Sequence, residues 1–195
     1  MADAPCRLWL LRHAQPLIAP GTCYGQLDVP ADAVLTQKAA RTLQPLLPPE
    51  TVLRHSPLQR CAQLASAIAC TTRIPDARLQ EMHFGHWEGQ AWNAIARAEL
   101  DAWANTLAHY APGGGESLST MLMRVRQALH TSWHHDSVHG IRDVLWVTHA
   151  GVVRCVQWLQ RHPHALPHSA DWNLPAPAFG GWITLDWNDL VQALE

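Results

Sequence analysis

Two histidines and two arginines stand where apolar runs give out. Arg12-His13 ends the run Arg7-Leu8-Trp9-Leu10-Leu11. Arg60 lies just beyond Thr51–His55 and Ser56, and His149 follows Val144-Leu145-Trp146-Val147-Thr148. An imidazole that is neutral near pH 7 is a competent nucleophile and a hydrogen-bond donor. A guanidinium is planar, permanently charged, and forks onto paired oxygens. Each of these residues taken singly is ordinary. A lone histidine is most often a surface or core residue, and a lone arginine on a helix is usually solvated. Their shared position at the ends of apolar runs is what makes them candidates.

The runs themselves read as buried strands, short and bounded by turn residues. A Pro/Gly-rich loop follows His13, from Pro16 to Pro30. Thr36–Leu47 is expected to be a helix, capped by Thr36 and closed by Pro48-Pro49. Ser56-Pro57 reads as an N-cap followed by proline at the first helical position, opening a helix to about Cys70. Arg78–Gly89 is a loop or short strand. Trp92–Tyr110 has a helical pattern and Ala111–Ser117, with three glycines, is a break. Leu118–His134 is helical again, and Gly151–Arg161 is a further helix. A Pro-rich stretch, Pro163–Pro177, precedes a last strand, Trp182–Trp187. Strands alternating with helices imply an α/β fold with a mostly parallel sheet. Ligands bind such sheets beyond the carboxyl ends of the strands. That rule alone brings Arg12, His13, Arg60 and His149 to one edge.

Composition narrows the class. The chain has 195 residues, 48% of them hydrophobic and 15% charged, with a net charge of -2. One α/β domain spanning residues 1–195 is expected. No basic block is present, so no nucleic-acid partner is expected. No run approaches the roughly 20 apolar residues of a membrane helix, so no membrane partner is expected. The N-terminal residues lack the apolar core of a signal peptide. The five cysteines are odd in number, scattered and without a CxxC, which points to a reducing, cytoplasmic setting. The 10 tryptophans read mainly as core and pocket filling. A homo-oligomer is left open.

Five segments, in order, resemble the motifs of the histidine phosphatase (phosphoglycerate mutase-like) superfamily. Leu11-Arg12-His13-Ala14-Gln15 resembles its signature. His55–Ala65, centred on Arg60, resembles the second motif, and Leu79–Gly89 the acid motif. Pro112-Gly113-Gly114-Gly115-Glu116-Ser117 resembles a substrate-side loop, and Val147–Arg154 the last motif. The resemblance implies a three-layer α/β/α sandwich and a phosphatase acting on a small phosphorylated substrate. It implies a phosphohistidine at His13, phosphoryl oxygens held by Arg12, Arg60 and His149, and Glu81 as proton donor and then acceptor. Glu88 fits a structural place in its Trp-Glu-Gly turn, and Glu116 that of a loop organiser within reach of substrate. The loop Thr22–Pro30 is most similar to that of α-ribazole phosphatase-like members, which implies Tyr24, Gly25 and Gln26 in the pocket. Ala14 and Gln15 replace the usual glycine and glutamate, and no asparagine follows between Leu17 and Gly21. Mutase chemistry and a non-catalytic phosphate-binding module stay open beside hydrolysis.

No cofactor and no metal is expected. His134, His135 and His139, and the group His162, His164 and His168, have helix-like spacings. Neither carries an HExxH pattern or an adjacent cysteine, and surface histidine is the plainer reading. The free cysteines read as packing residues.

Overall fold

A computed structural model describes residues 6–138 and 143–194. His139, part of one histidine group considered above, lies outside the described residues. Five strands form one sheet in the order β3-β2-β4-β1-β5. They are β1 (Arg7–Arg12), β2 (Val52–His55), β3 (Arg73–Pro75), β4 (Asp143–Thr148) and β5 (Trp182–Asp186). The first four run parallel, and β5 pairs antiparallel with β1 at the edge.

Strand alternation divides the core in two. Leu8, Leu10, Val144 and Trp146 face α4 (Leu118–Val138), α5 (Ala150–Arg161) and α6 (Trp187–Leu194). Trp9, Leu11, Leu53, Leu145 and Val147 face α1 (Ala33–Leu43) and α2 (Gln59–Ala67). The result is the three-layer α/β/α sandwich, its central strands buried on both faces as a parallel sheet requires. A third apolar group, Cys23, Trp87 and Ile95 with Phe84, Trp92 and Trp103 beside it, sits under the segment that carries α3 (Arg97–Asn105).

Several local expectations are corrected. Asp32 caps α1, accepting from Leu35 N at 2.8 Å, while the buried Thr36 hydroxyl donates to the Asp32 carbonyl. Ser56 does not cap α2. Asp28 does, from 31 positions away, accepting from Gln59 N at 2.7 Å and from its side-chain amide at 3.1 Å. The helical pattern of Trp92–Tyr110 yields a 3-10 turn at Trp92–Ala94 and then α3, with Ala96 extended between them. Trp92 packs edge-on against Phe84 and Trp87 and stacks with Trp103, so side-chain packing interrupts the periodicity. The last strand stops at Asp186, whose carboxylate accepts from Asn188 N and Asp189 N and starts α6. The three-residue β3 was not foreseen either.

Candidate active site

The parallel register sets the site. Arg12 pairs with Thr148, and His55 with Val147. The residues that follow, His13, Ser56 and His149, therefore leave the sheet side by side. His13 N donates to the Thr148 carbonyl and Ser56 N to the Val147 carbonyl, each at 3.0 Å. The His13 and His149 rings lie 5.1 Å apart. Ala14 has a negative φ, as do all described non-glycine residues, so alanine is unstrained there.

His13 is 2% exposed. Its Nδ1 is 2.7 Å from the Ala14 carbonyl, an acceptor, so the ring proton sits on Nδ1 and the lone pair on Nε2. Burial drives its pKa down to about 3, assisted by Arg60 and Arg12 and opposed by the Ala14 hydrogen bond. His149 is fully buried, and burial again, followed by the charges of its neighbours, holds it well below the usual histidine range. Both rings are neutral at pH 7. His149 Nε2 lies 2.8 Å from Ser56 Oγ and 3.4 Å from Cys61 Sγ. With α2 capped by Asp28, the Ser56 hydroxyl serves His149 instead.

Arg60, in the first turn of α2, has no exposed surface. It donates to the carbonyls of Gly25 at 2.5 Å and Leu27 at 2.9 Å, with its guanidinium over the Tyr24 ring. Arg12 donates to the Pro177 carbonyl at 3.0 Å. The Nε atoms of both arginines are buried without a protein acceptor. Buried charged donors are costly to leave unpaired, and an oxyanion is the natural partner for two of them.

Glu81 is held at both oxygens. Oε1 accepts from Met82 N and Oε2 from Gly151 N at the start of α5, each at 3.0 Å. Glu88 Oε1 accepts from Gln26 N at 2.8 Å and Phe84 N at 2.9 Å, tying two loops together. A cavity of about 370 Å³ opens here. Arg12, Tyr24, Gly25, Glu81, Gly151 and Arg154 form its polar side, and Phe84, Trp92, Trp103, Trp172 and Met121 much of its apolar side. His13, Arg60 and His149 are buried beside it and do not line it, nor do Gln26 and Glu116. Gln26 donates its side-chain amide to the Glu81 carbonyl. Glu116 is gripped at both oxygens by Arg124, each bond 2.7 Å long. Arg124 also donates to the carbonyls of Arg78, Gln80 and Glu81, so this pair fastens the acid segment from behind.

Arg154, Trp172 and Phe179 escaped the sequence reading of the site. Arg154 was discoverable, since it lies three residues after Gly151 on one face of α5. Nothing local marks the other two. His162, His164 and His168 are exposed, and His134 is too. Among the described residues no three His, Cys, Asp or Glu side chains group as metal ligands do. No helix among them is long and apolar enough to cross a membrane.

The sequence model of the histidine phosphatase superfamily (branch 1) matches residues 8–189. The chain belongs to that superfamily. Its fold is shared with mycobacterial glucosyl-3-phosphoglycerate phosphatase at 24% identity and a TM-score of 0.77, covering 93% of this chain and 90% of that one. TTHB049 from Thermus thermophilus is 28% identical with a TM-score of 0.70, covering 93% and 94% respectively. The mycobacterial phosphatase has also been solved with inorganic phosphate and with VO3. No curated protein matches significantly. At this level the chain is a phosphatase, a phosphoric monoester hydrolase of the histidine type.

Proposed function

We propose that this phosphatase works through a phosphohistidine on His13 and that its substrate is a nucleoside-type phosphomonoester, α-ribazole phosphate being the specific candidate. The observation that carries the mechanism is the neutral His13 ring, its proton held by the Ala14 carbonyl and its Nε2 free, beside His149 and two arginines. Nε2 attacks phosphorus, forming the P–N bond as the ester P–O bond breaks. The departing oxygen takes a proton from Glu81. Water then attacks phosphorus and passes its proton to Glu81, the P–N electrons return to Nε2, and inorganic phosphate leaves. Arg12, Arg60 and His149 hold the phosphoryl oxygens through both steps. Phosphate and VO3 bound to the mycobacterial relative support an oxyanion site in this fold.

The cavity supports the substrate class. Phe84, Trp92, Trp103 and Trp172 offer flat apolar faces suited to a heteroaromatic base. Tyr24 and Gly25, from the loop similar to that of α-ribazole phosphatase-like proteins, line it with Arg12, and the Tyr24 ring also meets the Arg60 guanidinium. Glucosyl-3-phosphoglycerate, the substrate named for the mycobacterial relative, is polar and carboxylate-bearing, and is the informative competitor. The test is initial-rate hydrolysis of both esters and of phenyl phosphate, with chelator and no added metal. Turnover of all three is expected, with kcat/KM highest for α-ribazole phosphate. A rate that collapses with chelator, or a preference for the sugar acid, overturns the corresponding part.

A further inference from the structure

The geometry points to Phe179 as a positioning residue that fixes the plane of the Arg12 guanidinium over the nucleophile. This deepens the phosphatase reading and rests on it. The Arg12 Cζ lies 3.8 Å from the centroid of the Phe179 ring, and the same ring lies 5.5 Å from that of His13. Phe179 is 37% exposed. The ring covers two site residues at once. Its location is enforced by the backbone. Gly180 N donates to the carbonyls of both Arg12, at 3.2 Å, and His13, at 3.0 Å, and Arg12 N donates to the Gly181 carbonyl. Gly180 sits at a φ of 73°, a conformation that suits glycine. The turn carrying Phe179 is thus stitched to the Arg12-His13 pair itself. Arg12 is then constrained by Pro177 at Nη1, by a side-chain hydrogen bond with Tyr24 and by the ring against its face. What remains is the edge holding Nε, buried and without a protein acceptor. A guanidinium grips an oxyanion through such an edge, and a preset plane loses less freedom on binding.

Phe179→Met keeps apolar bulk but loses the flat face, whereas Phe179→Tyr keeps the face. Inorganic vanadate is the probe, read as its inhibition constant against phenyl phosphate, with the thermal midpoint measured for each variant. For Phe179→Met, vanadate inhibition about tenfold weaker is expected, the upper range for a cation–π contact of this kind, with the midpoint within about 2 °C of wild type. Phe179→Tyr should restore inhibition to within about twofold of wild type. Wild-type inhibition in Phe179→Met overturns the assignment, as does loss in both variants with midpoints held. A wild-type chain that neither hydrolyses phenyl phosphate nor is inhibited by vanadate overturns the phosphatase mechanism instead, and that is read before any variant.

Discussion

At the scale of single residues, the proposed mechanism separates two roles that are easily confused, nucleophile and acid. The Ser56 hydroxyl is committed to His149, and burial pushes the Cys23 thiol up to about 12 and the Cys61 thiol higher still, so none of the three competes with His13 for phosphorus. Rapid acid-free quenching during turnover should trap an alkali-stable, acid-labile adduct, and His13→Ala should abolish both adduct and activity. A phosphoserine, or turnover in His13→Ala, contradicts the assignment. The acid is tested through its neighbour. Gly151 leaves no room for a side chain, because a Cβ there would lie 2.0 Å from Glu81 Oε1. The obstacle is the end of a side chain, which can swing aside, so Gly151→Ala should fold. It should nevertheless displace the proton donor. Alkyl esters, whose leaving oxygens need protonation, are expected to lose about 10²-fold or more, as in Glu81→Gln, while activated aryl esters are largely spared. Equal losses on both ester types would mean that Glu81 does not act as the acid.

At the scale of elements, the site depends on how loops are fastened to the sheet. Arg124 on α4 satisfies three carbonyls of the acid segment and both oxygens of Glu116, and both side chains are mostly buried. Removing one partner strands the other. Arg124→Leu is expected to cost about 3 kcal/mol or more in urea unfolding, and Glu116→Gln less, since the amide still accepts. The kinetic signature should match that of a displaced Glu81. A neutral effect of Arg124→Leu on unfolding would show that the segment holds itself. These fastenings also mark where the sequence stopped being legible. The strand ends β1, β2 and β4 were readable because apolar runs and parallel pairing are local and general rules. They were enough to gather His13, Arg60 and His149. The Asp28 cap on α2 was not readable, because its partner lies in another loop, and a plausible local cap, Ser56, stood in front of it. Glu116 was placed near substrate by motif position, yet Arg124, six residues into α4, takes both of its oxygens. Phe179 gave no signal at all, since its meaning comes from β5 returning antiparallel beside β1.

At the scale of the whole molecule, the two buried imidazoles tie folding to pH. In an unfolded chain a histidine takes its proton near pH 6.5. In the native fold His13 does so only near 3, and His149 is likewise held well below the usual value. Between those limits the unfolded state binds more protons than the folded one. Stability therefore falls as pH drops below about 6.5, by up to about 1.4 kcal/mol per pH unit for each such histidine. Asp76 acts in the same direction lower down. Its carboxylate is partly buried, which raises its pKa, but hydrogen bonds and charge from Arg78 outweigh this and hold it below the ordinary value. Its stabilisation is present above about pH 4 and is lost on further acidification. Urea midpoints measured at pH 7, 6 and 5 should decline steadily, above the range in which ordinary carboxylates protonate. His149→Gln removes one of the two protons and keeps a hydrogen-bonding group against Ser56. Its midpoint is expected to lie below wild type at pH 7 and to decline with about half the slope between pH 6 and 5. A wild-type midpoint that stays flat from pH 7 to 5 would mean that the two imidazoles are hydrated in solution. It would also remove the desolvation that keeps His13 neutral and ready to attack phosphorus.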